Sequence, residues 1–210
     1  MKTERRGGAV LSALLITILL MVVCGLVYPL LVTGLGQLLM HDKADGSLIT
    51  VDGKPVGSEI VGQAFDAPYF MQGRPSAVGY NTFDSDEPLE LPSSGSHNYA
   101  SSNPALEERM EADIERLLQE NPGLEREDIP VDLVTESGSG LDPHISIESA
   151  MIQLPRIARE SGLGMDVLED IVDRCTEGKL LGIFGEDKVN VLKVNLEIAM
   201  NMGMIDSYES

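Results

Sequence analysis

The sequence predicts an α+β fold: one N-terminal transmembrane helix followed by a single domain outside the membrane. Three observations carry this: an uncharged apolar run near the N-terminus, helical periodicity in the second half, and short apolar runs broken by Gly and Asp-Gly that read as strands.

From Gly7 to Met40 there is no charged residue. A helix that crosses a bilayer needs about 20 apolar residues, so the run is long enough to span and continue. A cleaved leader has an apolar core of only about 7–15 residues before a small-x-small site, and HDKADG after the run offers none. Pro29 disfavours the middle of a helix. We therefore expect a cytoplasmic tail over 1–9, a span over 10–32, a connector over 33–44 with 33–40 leaving as helix or turn, and the domain over 45–210. Lys2, Arg5 and Arg6 precede the run and only Lys43 follows closely. The basic end is expected in the cytoplasm of a single-pass cell-membrane protein, with the domain outside.

Past residue 40 there are 12 Lys/Arg and 33 Asp/Glu, a net charge of −21. Such a body repels nucleic acid and anionic headgroups and attracts cations through a screened field; acidity serving solubility alone is the plainer alternative. Cys24 lies in the run and Cys175 in the domain, so no disulfide staples the fold and packing must hold it.

Along the domain, Leu48–Val51, Asp52-Gly53 and Pro55-Val56 read as a hairpin. Residues 62–101 lack periodicity. Asn103-Pro104 opens a helix through ALEERMEADIERLLQE, closed by Asn121-Pro122-Gly123. Ser146 caps a second helix with Pro155 as a kink, and residues 165–177 form a third that ends at Gly178. Lys179–Phe184 reads as a strand. VNVLKVNLEIAM fits strand or helix.

The stretch VDLVTESGSGLDPHIS, residues 131–146, has the look of a chemical site. A phosphate loop needs G-x-x-x-x-G-K-[ST], yet there is no lysine between Lys54 and Lys179. The Ser-Gly run could still offer backbone amides to an anion. A nucleophile elbow fails because Glu136 and Leu141 stand where glycine is required. His41, His97 and His144 have no ligand-like spacing, so no metal site is expected. The residues alone read as a strand (130–135), a sharp turn (137–140) and a lead into the next helix.

Taken together, GSEIVGQAF, YFMQGRPSAVGYN, NPALEER, IPVDLVTESGSGLDPHIS and VNVLKVNLEIA resemble the C subunit of the Kdp-type potassium-transporting P-type ATPase, over nearly the whole chain. Departures are Glu136 in place of a small residue, Ile147 in place of a proline, and SGSHNYASSNP around Ser96 to Ser102 in place of a more glycine-rich string. The resemblance implies a non-catalytic accessory subunit of a high-affinity potassium uptake pump. Its partners would be a channel-like potassium-binding A subunit, an ATP-hydrolysing B subunit and a small F subunit, with potassium carried by partners and no firmly bound cofactor. It also implies a chaperone-like role that raises ATP affinity in the B subunit. In that role Ser137, Gly138, Ser139, Gly140 and Asp142 would contact nucleotide. From topology we expect instead that the body caps the external ion entrance, with acids such as Asp84, Asp86 and Glu87 concentrating K⁺ there. A membrane-anchored binding or sensor module and an anchored hydrolase are the alternatives from other classes.

Overall fold

A computed structural model describes residues 3–82 and 91–209. Asp84, Asp86 and Glu87 lie outside them. The chain divides into two compact units between Ser47 and Leu48.

The first unit is helical: α1 (Thr3–Val22), a π-turn at Val23–Val27, α2 (Tyr28–Leu39) and the short α3 (His41–Ala44). Gly8–Leu39 is uncharged throughout its 32 residues, and an 18-residue window within it has a mean hydropathy of 2.9. At 1.5 Å per residue it measures about 48 Å, more than the ~30 Å hydrocarbon core. The stretch left open as helix or turn is helix through Leu39. Pro29 leaves its mark as expected. Lacking an N–H, it cannot bond the Gly25 carbonyl, and the turn before it widens until the Tyr28 N–H reaches Val23 O.

The second unit begins with the hairpin β1 (Leu48–Val51) and β2 (Lys54–Ser58). Asp52 and Gly53 both take positive φ, 52° and 71°, as a two-residue turn between twisted strands requires. The chain's end returns here: Thr50 and Glu209 exchange both backbone hydrogen bonds, at 2.8 and 2.9 Å. Fully buried Ile49 packs with Leu192 and Leu196 into a small cluster.

α4 (Pro104–Glu120) starts where the sequence placed it, with the Asn103 side chain accepting from Ala105 N at 3.0 Å. The second expected helix is two: α5 (Ile147–Met151), capped by Ser146, and α6 (Leu154–Ser161), which has Pro155 in its first turn. The proline starts a new helix here rather than bending an old one. α7 (Met165–Arg174) stops short of the expected end, and Thr176–Glu177 is a strand, β4. The ambiguous last element is both things in succession: β5 (Lys188–Asn190), then α8 (Val191–Asn201).

With β3 (His144–Ile145), these strands make an antiparallel sheet of order β3-β5-β4, with β5 central. The main core lies between this sheet and the helices, gathering Leu117, Leu133, Leu154, Ile157, Leu168, Ile171, Val194 and Ile198. Two strand expectations fail. Residues 131–133 form a 3₁₀ turn, because Pro130 and the need to aim Asp132 at the next helix override the strand-like look of the 130–135 run. Residues 179–184 form a closed, exposed turn in which Leu180 pairs with Phe184.

Residues 62–82, which lack periodicity, are ordered by side chains from the helices. Asn195 on α8 accepts from Met71 N at 2.7 Å and donates to Met71 O at 2.9 Å. Gln153 does the same for Gln72, at 2.9 and 3.1 Å. Arg156 holds the Pro68 and Phe70 carbonyls. Buried amides and a guanidinium thus take the place of a neighbouring strand.

Candidate functional site

The SGSG segment sits where the 62–82 loop, residues 93–95 and the lead into α5 converge. Several of its backbone groups and Ser139 Oγ bond inward, while the buried Ser137 Oγ has no hydrogen-bond partner among the described residues. Ser137 is 2% exposed, and its N–H donates to Pro75 O at 3.2 Å. The Ser139 carbonyl accepts from Gly95 N at 2.8 Å and from Ser94 Oγ at 3.0 Å. The Gly140 N–H closes on Ser137 O at 3.2 Å, and the Gly140 carbonyl accepts from Ser76 Oγ at 2.6 Å. Leu141 N donates to Ser139 Oγ at 3.1 Å. Leu141 O accepts from Gly62 N at 2.9 Å.

The two glycines are not equivalent. Gly140 has φ +68°, and a β-carbon there would stand 2.7 Å from Val78 Cγ2 and 2.8 Å from Gly95 O. Only glycine fits. A β-carbon on Gly138 would meet nothing within 4 Å.

Arg74 is the centre of the corner. It meets Asp142 Oδ2 at 3.0 Å and donates to the carbonyls of Thr135 and Glu136 at 3.4 and 3.3 Å. Asp142 Oδ1 also accepts from His144 N at 3.0 Å, which turns the chain toward β3. Burial alone would raise the Asp142 carboxyl. The His144 hydrogen bonds and the Arg74 contact outweigh it and hold the group below the usual carboxylate range. Tyr80 donates to Arg74 O at 2.7 Å. Burial, then the Asp142 charge, push its hydroxyl up to about 12, so it stays a neutral donor.

Asp132 finishes the segment. It accepts from Ser146 N at 2.8 Å, Ser146 Oγ at 3.1 Å and Ser149 Oγ at 2.5 Å, locking the start of α5. Beside it lies an open cleft of about 630 Å³. Its charged lining is Asp132, Asp142, Glu186 and Asp187 against Arg74 and Lys188, with His144 beside them, a poor match for a polyphosphate.

The structure therefore gathers Ser137, Gly138, Ser139, Gly140 and Asp142 in one corner, with His144 at its edge. Two departures from the resembled pattern meet there. His97 Nδ1 lies 2.7 Å from Glu136 Oε1, and the His97 N–H donates to Glu136 Oε2 at 3.2 Å. Arg109 Nε approaches the same carboxylate at 3.5 Å. His97 also stacks on Tyr99. Sequence reasoning missed Arg74, Gln153, Arg156 and Asn195. Polar side chains set among apolar neighbours on a helix face were the available signal for the last three.

Among known proteins, residues 10–200 match the family described as "KdpC: K+-transporting ATPase, c chain". The potassium-transporting ATPase KdpC subunit of Clostridioides difficile (strain 630) is 52% identical over 202 residues, covering 92% of this chain and 97% of the relative. The subunit of the same name from Clostridium kluyveri is 50% identical, with 91% and 93% covered. That from Caldanaerobacter subterraneus subsp. tengcongensis is 48% identical, with 91% and 95% covered.

Proposed function

The chain belongs to the KdpC family, the c chains of K⁺-transporting ATPases, and we propose that it works as a non-catalytic brace, with its folded body outside the membrane. In this reading the apolar helix anchors the body, and the body assembles with the channel-like, ATP-hydrolysing and small subunits of the same pump. It covers the external ion entrance, where its net −21 charge draws K⁺ across about one Debye length of ~8 Å. Any gain in ATP affinity in the hydrolysing subunit is passed on through assembly rather than by contact of residues 137–142 with nucleotide.

One observation carries this. The segment most suggestive of a nucleotide site is bonded inward, from Ser137 to Pro75, from Ser139 to Gly95 and from Leu141 to Gly62. Its cationic side chain, Arg74, is engaged by Asp142. This bonding supports a corner that holds a shape rather than a cradle of donors for an incoming phosphate.

Protease shaving of intact spheroplasts carrying an N-terminally tagged chain, followed by pull-down of the pump subunits, tests the reading. Removal of the body from outside, with companion chains recovered on the unshaved protein, is expected. A body protected until lysis, or a chain recovered alone, would defeat it.

A further inference from the structure

Pro29 takes one hydrogen bond out of the apolar helix, and the π-turn before it moves the loss to a particular group. The Tyr28 N–H, which in a regular helix would serve Cys24 O, donates instead to Val23 O. One residue further on, the Pro29 ring offers no N–H. Among the described residues, the Cys24 carbonyl is thus left without a backbone donor of its own at either α or π spacing. Thr17 does not stand in for one, because its hydroxyl donates to Ala13 O at 2.8 Å. Gly25, the next residue, brings no side chain to cover the gap, and a β-carbon there would meet nothing within 4 Å.

The depth of this carbonyl follows from the sequence. A hydrocarbon core takes up about 20 helical residues, and every such window inside the uncharged run, from 7–26 to 21–40, contains Cys24. The carbonyl therefore sits in hydrocarbon wherever the helix settles, where an unpaired backbone group is strongly unfavourable. We propose that the Cys24 carbonyl is a docking point that accepts a hydrogen bond from a hydroxyl or side-chain amide on a companion membrane helix of the pump. The inference rests on the assembly reading above. The acceptor selects the chemistry of its partner. Lipid tails carry no donor, and a purely apolar helix would leave the carbonyl bare. A serine, threonine, asparagine or glutamine on a facing helix satisfies it, and the missing side chain at Gly25 lets that helix come close. A parallel second copy of this chain is a poorer match. Its Thr17 and Thr33 stand seven and nine residues from Cys24 along the axis, which leaves Tyr28 alone within about one turn.

The full-length tagged chain, co-expressed with its pump subunits and purified in detergent, provides the test. Pro29→Ala restores an N–H and lets the helix close at α spacing, so the Cys24 carbonyl is paired within the chain. Recovery of companion chains through a stringent wash should then fall roughly three- to tenfold, the range for an interhelical hydrogen bond in a membrane. Resistance to carbonate extraction and the thermal midpoint of the body should stay at their wild-type values. A photoreactive phenylalanine analogue in place of Tyr28 should link to the facing helix and locate its polar side chain. Alanine at that companion residue should lower recovery of the wild-type chain, yet cost nothing further in Pro29→Ala. Undiminished recovery with Pro29→Ala, or two losses that simply add, would overturn the inference. So would links confined to lipid or to a second copy of this chain. A wild-type chain that recovers no companion would overturn the assembly reading, and the inference with it.

Discussion

Two turns in this molecule invert the impression their sequences give. SGSGLDPH is polar and glycine-rich, yet it is drawn into the fold, with Ser137 buried and Gly140 wedged between Val78 and Gly95. KLLGIF has the composition of a core strand, yet Leu180, Leu181, Ile183 and Phe184 face outward. Polarity measures what a side chain can bond to, and in the first turn the partners are the protein's own backbone. Hydrophobicity measures what a side chain gains by leaving water, and in the second turn nothing among the described residues supplies that gain.

The sharpest way to break the contrast is to add one methyl group to each glycine of the first turn. Gly140→Ala combines a left-handed backbone with contacts under 3 Å, and should cost about 3 kcal/mol, read as a lower thermal midpoint. Gly138→Ala should stay within about 0.5 kcal/mol of wild type. Equal sensitivity at both positions, felt in ATP response instead of stability, is the signature of an anion cradle.

Next in size is Arg74→Met, which strips partners from Asp142 and from two carbonyls. A loss of about 2 kcal/mol is expected by chemical denaturation, since the half-buried Asp142 is left without its cation. An unchanged midpoint would mean that Arg74 does not hold the corner.

Acid offers a third probe. Asp142 and Glu136 are both held below the usual carboxylate range in the fold. The stability they add is present above the ordinary carboxylate pKa of about 4 and drains away as pH falls through their lower folded values. Asp113, which burial raises, works in the opposite sense. The melting midpoint should therefore drop on acidification below about pH 4. Asp142→Asn should start lower and lose less over that range; an identical slope would remove the carboxylate from the account.

The smallest effect belongs to the rim. His97→Ala and Glu136→Ala in a double-mutant cycle should show a coupling of about 0.5 kcal/mol that fades in high salt, because His97 remains largely solvated.

What the sequence made legible follows from where local chemistry decides structure. The Asn103-Pro104 start of α4, the Asp52-Gly53 turn, the Ser146 cap and the disturbance at Pro29 each rest on a few adjacent residues. The failures have a common cause. Residues 131–133 curl into a 3₁₀ turn because Asp132 is needed 14 residues away at Ser146, and no local propensity registers that. Residues 179–184 leave the sheet because β5 already takes β4 and β3 as its two neighbours. The non-periodic 62–82 loop depends on Asn195, 124 residues distant from Met71. At the corner, the five residues implied by resemblance do meet, but Arg74, which bonds Asp142 and the Thr135 and Glu136 carbonyls, gives no sign of that role within YFMQGRPSAVGYN.

The most direct measurement is a photoreactive ATP analogue offered to the purified, assembled pump, with the labelled peptides mapped. Label confined to the ATP-hydrolysing subunit is expected. Saturable label on residues 137–142, lost in Gly140→Ala and competed by ATP, would show that the corner touches nucleotide after all.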